Sequence, residues 1–207
     1  MFDSQPLKLK KISFDIASIS SSEKNIGHDK WYRDYDKALN NSDATIVYIS
    51  LVNSKHYLYG MKALNKNKNV IIDKPFSTDF KQTINLLNLA KKKKLLISQA
   101  LVFNYHKQFT LAKAILKKNK TDINKIIMNF CIPKPNKSNF KLSKKFEGGC
   151  FNDMAPYAAA MKRIFLGNKY SYSKLIMKNI KNLNESFSLI VCNKKTEFYG
   201  IPVSPQL

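Results

Sequence analysis

The chain is short of cysteine, glycine, arginine and acid, and each shortage closes off a class of protein. Its three cysteines, Cys131, Cys150 and Cys192, lie far apart and form no C-x-x-C pair. That argues against a zinc cluster or a disulfide framework and for a reducing, cytoplasmic setting. None of the six glycines (Gly27, Gly60, Gly148, Gly149, Gly167, Gly200) stands in a G-x-G-x-x-G array, the spacing that lets backbone wrap a pyrophosphate. No run of about 18 uncharged apolar residues occurs, so no membrane-spanning helix is expected. The opening MFDSQPLKLKK also lacks the apolar stretch of a secretory signal. Acid is scarce too, 14 residues against 36 basic ones, for a formal charge of +22. A basic surface attracts phosphate whatever its sequence. Yet only Arg33 and Arg163 are arginine, and the lysines are scattered beside abundant Asn and Ile, as an AT-rich coding sequence produces. No helix-turn-helix, zinc-finger or RNP signature is present, so specific nucleic-acid binding is not expected. A basic protein does suit a small anionic substrate such as a nucleotide sugar.

With 44% apolar residues in 207, the chain can bury a core as one large domain or two small ones. Its organising stretch is residues 44–75, which reads as strand, helix, strand. Residues 44–51 are β-branched and aromatic with almost no charge, as suits a strand buried on both faces of a parallel sheet. Over residues 55–66 the period changes: Tyr57, Gly60, Met61 and Leu64 recur at three-to-four spacing while Lys55, Lys62 and Lys66 stay wet. Residues 69–73 are apolar again and stop at Lys74-Pro75. Such a βαβ unit ends both strands on one sheet edge, where open α/β sheets hold their ligands. Ser50, Asn53 and His56 leave the first strand at that edge, and Lys74 leaves the second.

A small residue at a strand end, then Asn-x-x-His, a helix and a strand ending in Asp73-Lys74-Pro75 resembles the glucose–fructose oxidoreductase and inositol dehydrogenase (Gfo/Idh/MocA) family. The family ends that strand in Glu-Lys-Pro; Asp keeps the charge on a shorter arm. Its other hallmark is a glycine pair followed by Asp-x-x-x-His or Asp-x-x-x-Tyr on a helix, matched here by Gly148-Gly149, Asp153 and Tyr157. Four residues apart on a helix, Asp153 and Tyr157 share a face. Pro156 is expected near the start of that helix, where its missing N–H costs nothing. Alone, Asp153 reads as a cap and Tyr157 as core; beside Lys74-Pro75 they read as a site.

The resemblance implies an NAD(P)-dependent oxidoreductase acting on a sugar or nucleotide sugar, of the kind found in polysaccharide-biosynthesis loci. It implies Lys74, Tyr157 and Asp153 as catalytic residues. Tyr157 would take the proton from a sugar carbinol as it is oxidised, its pKa of about 10 lowered by the Lys74 ammonium. Lys74 would hold the substrate hydroxyl and the nicotinamide ribose, and Asp153 would orient the sugar. NAD or NADP would be held by Ser18, Ser50, Asn53, His56 and Lys74, with no metal. Ser18-Ile19 closes a strand expected over residues 11–20 and satisfies neither the acidic NAD rule nor the arginine NADP rule, so cofactor preference stays open.

Elsewhere, residues 27–37 form an aromatic loop running into a short helix at 34–40, with Trp31 and Tyr35 packing on the sheet. Ser77-Thr78-Asp79 caps a helix whose buried stripe is Phe80, Ile84, Leu87 and Ala90, and Lys91 to Lys94 close it against the dipole. Residues 95–102 read as a strand, and His106 as a capping residue before a helix to about residue 118. Strands at 125–132, 170–180, 185–192 and 196–203 point to an antiparallel sheet. The expected fold is α/β: an incomplete Rossmann-like parallel sheet over residues 1–120, then an α+β domain with a mainly antiparallel sheet over residues 121–207. Relative to the family both ends read as shortened, the first strand and glycine-rich turn being absent. Two readings follow. One is a sugar oxidoreductase, inactive as it stands if the missing turn is essential. The other is a non-catalytic remnant that binds sugar or self-associates. A homo-oligomer formed through the C-terminal sheet is expected.

Overall fold

The computed structural model describes residues 32, 34–119, 125–129, 135–136, 139–167, 172–180, 183–192 and 197–201. The strand expected over residues 11–20, with Ser18, and the aromatic Trp31 lie outside the described residues.

Helix α1 (Tyr35–Asn41) opens on Asp34, whose carboxylate accepts from the Lys37 amide at 2.8 Å. Strands β1 (Ile46–Ile49) and β2 (Asn69–Ile72) flank α2 (Asn53–Asn65) and pair in parallel, Ile46 opposite Asn69 and Ile49 opposite Ile72. Helix α3 (Phe80–Lys93) returns the chain to β3 (Ile97–Gln99), which lies parallel on the far side of β2. The expected βαβ unit is therefore present. Ile49, Val70 and Ile72 from the strands meet Ala63 and Leu64 of α2 and Leu86 and Ala90 of α3 in one core.

Two helix faces differ from expectation. Helix α2 starts at Asn53 and buries Asn53, His56, Gly60, Ala63 and Leu64, with Tyr57 and Met61 at the rim. Helix α3 has the expected Asp79 cap, which accepts from the Gln82 amide at 3.0 Å, but its stripe is rotated. Leu86 and Ala90 are buried, whereas Phe80 is 78% exposed and Ile84 and Leu87 also face out. Gly60 decides the phase: a Cβ there would sit 2.8 Å from Cδ2 of Leu86, so the missing side chain is the slot Leu86 fills. Lys91 to Lys93 close the helix, and Lys94 follows in the left-handed region at φ 56°.

The strand expected over 95–102 is confined to Ile97–Gln99, and Val102–Tyr105 form a 3-10 turn. His106 caps α4 (Lys107–Lys118), its Nδ1 accepting from the Gln108 amide at 3.3 Å. Beyond it, β4 (Lys125–Asn129), α5 (Cys150–Leu166), β5 (Tyr172–Ile180), β6 (Leu183–Cys192) and β7 (Glu197–Ile201) form the second part. Its sheet runs β4-β7-β6-β5; β5, β6 and β7 are antiparallel and β4 is parallel to β7. Met154 and Ala158 of α5 pack on Phe187 of β6. Pro156 is not near the helix start, as expected, but six residues beyond the first position, inside the helix. Its ring leaves the Asn152 carbonyl without the usual amide donor four residues on.

Candidate active site between the sheet edge and helix α5

The parallel pairing brings the ends of β1 and β2 together, the Asp73 amide donating to the Ile49 carbonyl at 2.8 Å. Ser50 Oγ donates to the Asp73 carboxylate at 3.3 Å. His56 is only 1% exposed, its ring nitrogens 2.7 Å from the Pro75 carbonyl and 2.9 Å from that of Leu51. It stands behind the sheet edge and ties together the turns that follow the two strands. Asn53 donates to the Glu147 carbonyl at 2.9 Å, and Thr78 donates to the Glu147 carboxylate. These bonds join the edge to the turn that begins α5.

That turn depends on both glycines. A Cβ at Gly148 would lie 2.3 Å from the backbone oxygen of Lys141, closer than any side chain tolerates. Gly149 adopts φ 104° and donates to the same oxygen at 2.8 Å. Helix α5 then presents Asp153 and Tyr157, one turn apart, to Lys74. The Lys74 ammonium donates to the Asp153 carboxylate and, at 2.9 Å, to its backbone carbonyl. It also stands 5.1 Å from the centre of the Tyr157 ring, a cation–π distance. Phe103 packs on the same ring at 5.1 Å between centroids. The second Asp153 oxygen accepts from Lys141 at 2.9 Å. Side-chain exposures of 17% for Lys74 and 10% for Asp153 make this a largely desolvated pair.

Burial acting alone would raise the Asp153 pKa, but the hydrogen bonds from Lys74 and Lys141 and their charges outweigh it and hold the carboxyl below its usual value. A folded-state pKa below the unfolded one stabilises the protein above about pH 4. That contribution is lost as pH falls through the folded value. Acid unfolding of Asp153→Asn should therefore be less steep below about pH 4 than that of the parent, as urea midpoints against pH will show. Tyr157 departs from expectation. Burial first, then the Asp153 and Asp73 charges, push its pKa up, and the Lys74 ammonium above the ring face is hydrogen-bonded to Asp153. The phenol is protonated at neutral pH. Burial and the Asp153 charge likewise push the Cys150 thiol up to about 11, which removes it as a nucleophile. Among the described residues no group of three or more His, Cys, Asp or Glu could hold a metal, and no helix is long and apolar enough to cross a membrane.

Residues 6–101 match the family model described as oxidoreductase family, NAD-binding Rossmann fold (GFO_IDH_MocA). This stretch belongs to the Gfo/Idh/MocA oxidoreductases. A relative of this Gfo/Idh/MocA segment is dTDP-3,4-didehydro-2,6-dideoxy-alpha-D-glucose 3-reductase of Streptomyces violaceoruber, 25% identical over 136 residues, or 65% of this chain and 40% of that enzyme. The uncharacterized oxidoreductase YhhX of Escherichia coli is 30% identical over 93 residues, 45% of this chain and 27% of YhhX. Among solved structures, a mutant of KijD10, a 3-ketoreductase from Actinomadura kijaniata in complex with TDP-benzene and NADP, superposes with a TM-score of 0.80 at 19% identity, covering 86% of this chain and 56% of that one. Aldose-aldose oxidoreductase from Caulobacter crescentus gives 0.73 at 13% identity, covering 84% and 58%. The chain thus spans 40% of the first of these relatives and just over half of the solved chains. At these identities the structures establish a shared fold.

Within the Gfo/Idh/MocA frame, Lys74, Asp153 and Tyr157 converge on one point, with Ser50 at the neighbouring strand end. Asn53 and His56 are engaged with backbone carbonyls behind it. Ser18 lies outside the described residues. Lys141 is the site residue that sequence reasoning missed. Its only signal is proximity, seven residues ahead of the glycine pair.

Proposed function

We propose that the chain carries the proton-handling part of an NAD(P)-dependent oxidoreductase site for a sugar or nucleotide sugar, working toward reduction of a keto group. The observation that supports this is the meeting of Lys74 from the sheet edge with Asp153 and Tyr157 from α5. When bound, NAD(P)H supplies a hydride to the carbonyl carbon. Tyr157, protonated at neutral pH, gives its proton to the oxygen that develops there. Lys74 donates to that oxygen and steadies its negative charge, and Asp153 accepts from a neighbouring sugar hydroxyl. Ser50 and Lys74 fit the nicotinamide end of a dinucleotide, since both leave the carboxyl ends of parallel strands. His56 serves by holding those two turns, and Asn53 by tying the edge to the turn that begins α5. Similarity to a dTDP-3,4-didehydro-2,6-dideoxy-alpha-D-glucose 3-reductase and to a 3-ketoreductase in complex with TDP-benzene and NADP favours the same substrate class and cofactor. Self-association would use β5, where Leu175, Ile176, Met177 and Ile180 are exposed.

The alternative is a protein that binds sugar or self-associates without turnover. NADPH fluorescence titration of the folded chain separates the two. Saturable quenching with enhancement by a dTDP-sugar supports the oxidoreductase, and no quenching supports the remnant. In the active protein, Tyr157→Phe should lower kcat by about 100-fold with KM changed less than about threefold, since the phenol acts in the transition state.

A further inference from the structure

We propose that Lys141 is a positioning residue that keeps the Asp153 carboxylate paired while Lys74 turns from it to the substrate oxygen. This rests on the role of Lys74 given above.

In the structure the Lys74 ammonium is bound to Asp153 twice, through the carboxylate and the backbone carbonyl. To reach a substrate oxygen it must loosen that hold, and stripping the cation from a carboxylate 10% exposed would strand a buried charge. Lys141 removes that obstacle by already holding the other carboxylate oxygen at 2.9 Å. Two ammoniums on one carboxylate leave a net positive charge facing the cleft, which favours an electron-rich oxygen there. The placement of Lys141 is built into the backbone. Asn139 caps its 3-10 turn by accepting from the Lys141 amide at 2.9 Å, and the Lys141 carbonyl accepts from the Gly149 amide at 2.8 Å under the bare face of Gly148. The glycine pair that starts α5 thus also fixes the second cation of Asp153. Among the described residues, the groups that face this carboxylate are Lys74 from the β2 exit, Lys141 from the 3-10 turn, and Cys150 and Tyr157 from α5.

The test uses the 207-residue chain without cofactor. Lys74 acetylation by limiting acetic anhydride is followed by peptide mass spectrometry, and the Asp153 carboxyl is titrated by carbon NMR, assigned with Asp153→Asn. In Lys141→Met, Asp153 has Lys74 as its remaining ammonium partner, so Lys74 labelling should slow about threefold or more and the Asp153 midpoint should rise by about one pH unit. Lys141→Arg should restore both. Where Lys141→Met unfolds by circular dichroism, Lys141→Gln takes its place with the same expectations. Unchanged or faster Lys74 labelling, or an unmoved Asp153 midpoint, in a folded variant overturns the proposal. Neither readout involves turnover. A chain that fails to bind NADPH therefore defeats the oxidoreductase reading without touching the lysine exchange, and the reverse also holds.

Discussion

Lys74→Ala is expected to lower keto-sugar reduction by about 1,000-fold or more while the protein remains folded. Two losses combine. The developing oxyanion loses its charged donor, and proton transfer from Tyr157 loses the group that holds the acceptor oxygen in line, effects worth about 100-fold to 10,000-fold in comparable sites. The fold should survive because Asp153 retains Lys141, so no carboxylate is stranded. Steady-state kinetics with matched circular dichroism spectra check both halves. Turnover within about tenfold of the parent would refute the role given to Lys74.

Gly148→Ala should have the largest effect on stability, about 3 kcal/mol. The added methyl would lie 2.3 Å from a backbone oxygen and 2.6 Å from the carbonyl carbon of Lys141, and neither can rotate away as a side-chain tip could. The turn must open, displacing Lys141 and the start of α5 together. For a chain of this size the melting temperature should fall by about 6–12 °C. Gly167→Ala offers a contrast: its added methyl meets nothing within 4 Å, although φ 70° still strains it. Its loss should be smaller.

The βαβ unit was legible because burial forces a pattern: uncharged β-branched runs at β1 and β2 with a helical period between them. The convergence of Lys74 with Asp153 and Tyr157 was expected through the resemblance of the Asp73-Lys74-Pro75 and Gly148-Gly149…Asp153…Tyr157 motifs to one family; spacing alone showed only that Asp153 and Tyr157 share a helix face. The phase of α3 was not legible. Its sequence is apolar on two faces, Phe80, Ile84 and Leu87 on one and Leu86, Leu89 and Ala90 on the other, and the choice is made by Gly60 on a different helix. Lys141 was hidden for another reason. In a chain so rich in lysine, a second lysine that pairs with a buried carboxylate looks like its solvated neighbours until the glycine turn places it. The Tyr157 pKa was misjudged by weighing a nearby cation against nothing; burial and two carboxylates act in the other direction, and the cation is already bound.

The central claim is that the ammonium at the sheet edge and the carboxylate on α5 act on each other. A double-mutant cycle with Lys74→Met and Asp153→Asn, read from urea unfolding free energies, measures this most directly. The account predicts a coupling of about 1–3 kcal/mol between the two sites. Additivity within about 0.5 kcal/mol would show that they do not meet, and the site described here would not exist.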